Sequence, residues 1–286
     1  MAAVRFLKRH LFEVLAVLPL SLYIFGFTLL PVFRTIRLGL TDAVTGAFTL
    51  AHYRELFSHG QFGQALTNTV VITLLGLTFE LLVGLVLALI LSRPFRGRGF
   101  FRSILLVPMG VPTLVAGVAL LYIFDTSGYL NELLYRLHLI TTPVDWAAGG
   151  TRTLLMVVFG DMWKVTPLVV LILLAGLEAI PEGVYEAASV DGATAWQTLT
   201  RITLPLLRPS ITMALIIRAV DAFRIFELPL VLAGRFTPVL STYAYTEYNY
   251  GNFNTSGAAS TILLVIILVF VAGYFFLVER GRGDVM

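Results

Sequence analysis

Glu186-Ala-Ala-Ser-Val-Asp-Gly-Ala-Thr-Ala-Trp-Gln-Thr-Leu-Thr-Arg-Ile-Thr-Leu-Pro205 is a polar, helix-forming stretch set between two long apolar runs. Hydrocarbon offers its charges and hydroxyls no partner, so it must lie in water or against another protein. It reads as a helix, a break at Gly192, a second helix and a stop at Pro205. Pro181 suits the first helical position, where a missing N–H costs little. Glu182 and Glu186 follow, favourable at the positive end of the helix dipole. Ala187 and Ala188 give a slim surface that another backbone can approach. Gly192 permits the turn, because positive φ is open to glycine. Ala193 to Arg201 can form the second helix, and Pro205 and Pro209 fix the entry into the next apolar run.

The sequence on either side is that of a membrane protein. The 286 residues are 58% hydrophobic and 13% charged, with a mean hydropathy of +0.88, whereas soluble domains carry roughly 25% charged residues. A spanning helix needs about 20 apolar residues. Six segments qualify, near Phe12–Phe33, Leu66–Leu91, Ile104–Phe124, Thr153–Leu177, Ile211–Leu232 and Ala258–Val278. The expectation is an all-α membrane protein with one six-helix domain over 12–278, a hairpin over 180–208, a short N-terminus (1–11) and a short tail (279–286). Arg5 to His10 followed by an apolar run resembles a signal peptide. The run is too long for one, so it is read as a retained first span.

Lys and Arg collect in the loops of the cytoplasmic side. Arg5, Lys8, Arg9, Arg93, Arg96, Arg98, Arg102, Arg201, Arg208, Arg280 and Arg282 fall on one side, and Arg34, Arg37, Arg54, Arg136 and Arg235 on the other. Both termini and the hairpin are therefore expected in the cytoplasm. Two outer loops carry helical patterns, Tyr53–Phe57 and Leu130–Leu137. The loop from Ala233 to Ser256 is rich in Tyr, Thr and Asn.

Several functions are excluded or made remote. There is no cysteine, so there is no disulfide and no thiolate metal site. The four histidines, His10, His52, His59 and His138, form no ligand-spaced pair. A net charge of +3 is no nucleic-acid signal. No nucleophile–base or His-Glu-x-x-His set supports an intramembrane enzyme, so no catalytic residue is named. Absence of inverted repeats argues against a secondary transporter. The phosphate loop Gly-x-x-x-x-Gly-Lys-Ser/Thr is also missing, so no ATP-hydrolysing site is read in the chain itself.

Ionisable residues inside spans are functional candidates. Arg218, Asp221, Arg224 and Glu227 are spaced by three along the fifth span, so they can pair along one helix face. They read either as a self-neutralising network that holds helices or as the polar lining of a cavity, with Phe223 and Phe226 stacking on a bound solute or simply packing. Asp161, Trp163 and Lys164 in the fourth span form a second candidate wall, with Asp161 and Lys164 again three apart. Glu80 stands alone in the second span and needs a partner on another helix.

Glu186-Ala-Ala, Asp191-Gly192 and Ile202-Thr-Leu204-Pro205 together resemble the cytoplasmic EAA loop of permease subunits in ATP-binding-cassette importers. Phe48-Thr-Leu-Ala-His-Tyr53, Asn68-Thr69, Arg102-Ser-Ile-Leu-Leu-Val-Pro108, Asp221-Ala-Phe-Arg-Ile-Phe226 and Leu230-Val-Leu-Ala-Gly234 extend the likeness to the carbohydrate branch. The similarity is greatest to the maltose, trehalose and glycerol-phosphate type in its first-subunit form. The branch often carries Gly-Gly-Pro after the fifth span, where this chain has Gly234-Arg-Phe-Thr-Pro238. The resemblance implies the type I importer (methionine-importer-like, MetI-like) permease fold. It implies that Glu186, Ala187, Ala188, Asp191, Gly192, Leu204 and Pro205 couple the chain to an ATPase. It also implies two ATPase subunits holding ATP and Mg, a second homologous permease and an extracytoplasmic binding protein. The chain itself would bind no cofactor. The implied cargo is a sugar, with a polyol or glycerol phosphate as the alternative, and the implied place is the cytoplasmic membrane of a bacterium or archaeon.

Overall fold

The computed structural model describes residues 11–58, 60–234 and 236–280, with Val14 and 277–280 as backbone only. Arg5, Lys8, Arg9, His10, His59, Arg235 and Arg282 lie outside the described residues, as do 1–10 and 281–286 of the two terminal segments. Among the described residues every regular element is helical, and one isolated antiparallel bridge joins Thr41 to Phe48.

In chain order the helices are α1 (Leu11–Ile24), α2 (Leu30–Gly39), α3 (Ala51–Ser58), α4 (Gly60–Ser92), α5 (Arg98–Gly110), α6 (Thr113–Phe124) and α7 (Tyr129–Arg136). They continue with α8 (Gly150–Glu178), α9 (Glu182–Val190), α10 (Ala195–Thr198), α11 (Leu204–Phe223), α12 (Glu227–Leu232), α13 (Leu240–Asn249) and α14 (Phe253–Arg280). Among the described residues six helical runs are long and apolar enough to cross a membrane: Leu11–Gly39, Gly60–Ser92, Thr113–Arg136, Gly150–Glu178, Ala195–Phe223 and Phe253–Phe276.

Two of these runs pass through a five-residue π turn, Phe25–Leu29 and Leu199–Thr203, and each turn is followed by Leu-Pro. The N–H groups of Leu30 and Leu204 reach five residues back, to Phe25 and Leu199. A proline ring clashes with the carbonyl four residues before it, and the wider turn moves that carbonyl aside. The second turn corrects the sequence reading. Pro205 does not stop a helix; the helical run continues from Ala195 to Phe223.

Proline does break two other segments read as continuous spans. The residue before proline is pushed out of the helical region, and Val111, before Pro112, is extended at φ −80°, ψ 127°. The third segment is thus α5, a break, and α6. The fifth ends at Phe223 and resumes as α12. There Pro229 has no N–H to offer Ile225, four residues earlier, and the Ser241 hydroxyl donates to that carbonyl instead.

The chain divides into two compact units. One takes in the described residues of Met1–His59 and Ala244–Leu264. In it α2 crosses the start of α14 so closely that a Cβ on Gly39 would lie 2.8 Å from the Ala258 nitrogen. The Asn254 amide donates to the Leu38 and Thr41 carbonyls at 2.9 and 2.6 Å, capping the end of α2. The other unit takes in the described residues of Gly60–Tyr243 and Val265–Met286. It is built on the seam between α4 and α8. One apolar cluster, with Val169, Leu173, Leu177, Leu91 and Leu207, lies toward the hairpin, and another, with Ile72, Phe124, Met156, Leu228 and Leu232, lies toward the opposite end.

Candidate functional site

The hairpin is two helices joined by a turn whose backbone N–H groups, from Asp191 to Thr194, are bonded within it. The chain enters α9 after Pro181, whose ψ of 137° is still extended. At its end the Ala193 N–H bonds the Ala188 carbonyl at 2.9 Å and the Gly192 N–H bonds the Ser189 carbonyl at 3.1 Å. This is the Schellman closure, and Gly192 takes the left-handed φ of 72° that it requires. Thr194 then caps α10. Its hydroxyl accepts from the Gln197 N–H at 3.3 Å, while the Gln197 side chain accepts from the Thr194 N–H at 2.8 Å. The Thr-x-x-Gln spacing of Thr194 and Gln197 carries this signal in the sequence.

The outer face of the hairpin is open. Glu186, Ala187, Asp191 and Gly192 are exposed, as is Pro205; Ala188 is buried and Leu204 half-buried. Val190 is 88% exposed and Trp196 71%, although both are apolar. Glu186 makes no ion pair among the described residues. Behind the hairpin a groove of about 1050 Å³ separates it from the ends of α4 and α8, with Arg93, Glu178, Glu182, Tyr185, Ser189 and Trp196 on its walls. Glu178 closes the end of α8 by accepting from both Arg98 and Arg102 of α5. Arg102 also donates to the Leu91 carbonyl at 3.2 Å, near the C-terminus of α4, where a cation is favoured.

The charges inside the spans gather around Arg218. Its Nε donates to Glu80 Oε2 at 2.8 Å and its Nη2 to Glu80 Oε1 at 2.9 Å. The same Nη2 donates to Asp161 Oδ2 at 2.9 Å. Glu80 therefore has its partner on another helix, and Asp161 joins the same group. The planar guanidinium fork suits a carboxylate bonded at both oxygens. Removing one member of such a buried pair costs roughly 3–5 kcal/mol. Asp221 lies 3.8 Å from Arg218 and 2.7 Å from Arg224, so part of the expected ladder forms.

The rest of the ladder does not. No ion pair joins Arg224 to Glu227 among the described residues, because the break after Phe223 intervenes. Glu227 is exposed in the first turn of α12. Asp161 and Lys164 do not pair either. Lys164 instead donates to the Val111 carbonyl at 2.6 Å, placing its charge at the C-terminus of α5, where the break leaves a carbonyl free. Phe223 is buried edge-on against Phe270, with ring centroids 5.2 Å apart, so it packs. Trp163 and Arg224 are exposed and Asp221 is half-exposed. Among the described residues no three His, Asp or Glu side chains converge as a metal set.

A profile of the family described as "Binding-protein-dependent transport system inner membrane component" matches residues 80–281. The chain is 35% identical over 280 residues to the trehalose/maltose transport system permease protein MalF of Thermococcus litoralis, covering 94% of each chain. It is 35% identical over 244 residues to the trehalose transport system permease protein SugA of Mycobacterium tuberculosis, covering 84% of this chain and 76% of that one. In fold it matches a chain of a bacterial ABC transporter that imports alginate. The TM-score is 0.87 at 24% identity, over 98% of this chain and 99% of that one.

Proposed function

The chain belongs to the family of inner membrane components of binding-protein-dependent transport systems, and from that premise we propose that it is a permease subunit of an ATP-driven importer for a disaccharide such as trehalose or maltose. The observation that carries the substrate reading is the likeness, along nearly the whole length, to a trehalose/maltose permease. The drive is read from the hairpin, whose ordered turn and exposed Val190 and Trp196 offer a folded, partly apolar face. In this reading Glu186, Ala187, Ala188, Asp191, Gly192, Leu204 and Pro205 seat the hairpin on one of two ATPase subunits, which hold ATP and Mg. A second, homologous permease supplies the other half of the pathway. A binding protein delivers sugar from outside, and both termini lie in the cytoplasm.

Closure of the ATPase dimer then pushes the hairpins of the two permeases together, and the spans rock between inward- and outward-facing states. Arg224, Asp221, Glu227 and Trp163 are the accessible members of the candidate pathway set. Their donors, acceptors and ring suit weak, exchangeable contacts with hydroxyls and sugar faces. Asp161 and Lys164, held by Arg218 and Val111, shape that wall rather than reach into it.

The test is reconstitution of the full transporter in vesicles with its binding protein. Trehalose or maltose is expected to stimulate ATP hydrolysis and to accumulate inside. Stimulation by a polyol or a phosphate ester alone would move the substrate class, and no stimulation by any solute would overturn the importer reading. Glu186→Lys is expected to fold and assemble, since that side chain is exposed, yet to lose stimulated hydrolysis and uptake together.

A further inference from the structure

We infer that Arg218 is the positioning residue through which displacement of the hairpin reaches the helices behind it; this rests on the importer reading above. Two independent features carry it. The first is the shape of the charge cluster. One guanidinium is shared by three helices: α11 supplies it, α4 supplies Glu80 and α8 supplies Asp161. The side chains of Arg218, Glu80 and Asp161 are only 3%, 1% and 12% exposed. In such a dry setting directional hydrogen bonds are strong and expensive to leave unmade. Elsewhere α11 meets α4 and α8 through aliphatic contacts such as Leu207 and Ala214, which are non-directional and allow sliding. The fork at Arg218 fixes both the height and the rotation of α11 against its neighbours.

The second feature is continuity. The helical run that begins in the hairpin at Ala195 reaches Phe223 without interruption. At about 1.5 Å per residue, roughly 30 Å of continuous helix, through the π turn and past Pro205 and Pro209, joins Trp196 on the hairpin to Arg218. Pressure on the exposed face at Trp196 is therefore delivered at Arg218, and through its fork to α4 and α8. Five residues beyond Arg218 the run ends at Phe223. There Asp221 links Arg218 at 3.8 Å to the exposed Arg224 at 2.7 Å. A line of alternating charge thus joins the buried fork to the accessible end of the helix, so that the stroke and the sugar-facing groups share one fixed point.

The experiment uses the full transporter in vesicles. It reads ATPase rate with and without sugar-loaded binding protein, sugar imported per ATP, and thermal stability. Arg218→Lys keeps the charge, but an ammonium cannot reproduce the planar fork. Glu80→Gln keeps the shape and removes one charge. Both variants are expected to assemble and to hydrolyse ATP at the unstimulated wild-type rate. Sugar imported per ATP is expected to fall by roughly tenfold for Arg218→Lys, within the range by which residues lying between two sites alter their coupling, and by less for Glu80→Gln. If the variants melt at lower temperature but import sugar per ATP as the wild type does, the cluster only holds helices together and the inference is wrong. Should Arg218→Lys fail to assemble, Glu80→Gln decides alone. A wild-type complex that ignores sugar-loaded binding protein would sink the importer reading instead, so the two failures are distinct.

Discussion

Ile225 is buried, and its carbonyl would face no donor if Pro229 were the only candidate; the Ser241 hydroxyl fills that place from 16 residues away. Ser241→Ala is therefore expected to leave an unsatisfied buried acceptor and to destabilise the protein by about 1–3 kcal/mol. Thermal unfolding in detergent, compared with Ser241→Thr, which retains the hydroxyl, measures it. Lys164 answers the same need at Val111. An intramembrane lysine usually invites a reading as an ion or substrate contact; here a proline-made break in a neighbouring helix accounts for it.

The α4–α8 seam depends on small residues that let backbones approach. A Cβ on Gly84 would lie 2.8 Å from Cγ1 of Val169, and a β-branched side chain has little rotamer freedom to yield. Gly84→Ala is expected to cost about 1–3 kcal/mol, as overpacking does, and Gly84→Ala with Val169→Ala should recover part of it. The melting temperatures of the single and double variants test this. Much of this level was legible in the sequence. The six apolar lengths announce themselves because hydrocarbon thickness sets them, and the helix ends were misjudged by several residues because helices run on into water, as α4 does from Gly60 rather than Leu66. The breaks at Val111 and after Phe223 were missed because hydropathy is blind to Pro112 and Pro229. Glu80 could be flagged as needing a partner, but nothing local shows that the partner is 138 residues away. Spacing by three identified the pair Arg218–Asp221 and misled at Asp161–Lys164, since a long-range partner outcompeted the near one in each member's case.

For the whole molecule, topology is the property most open to direct measurement, and the absence of cysteine helps. On the proposed orientation, single cysteines at Val44, 93% exposed in the loop after α2, and at Val190, 88% exposed on the hairpin, are expected to report opposite faces of the membrane. A membrane-impermeant maleimide is expected to label Val44→Cys in intact cells and Val190→Cys only after permeabilisation. The reverse pattern would invert the orientation and remove the hairpin from any cytoplasmic ATPase. The π turn at Leu199–Thr203 has a consequence of its own at this scale. It inserts one residue more than an α-helical turn holds, and one residue is about 100° of rotation in a helix of 3.6 residues per turn. With Arg218 clamped, that extra residue decides the compass bearing of Trp196. The face that the hairpin turns outward is thus set by a one-residue phase slip within a five-residue turn, upstream of the fork at Arg218.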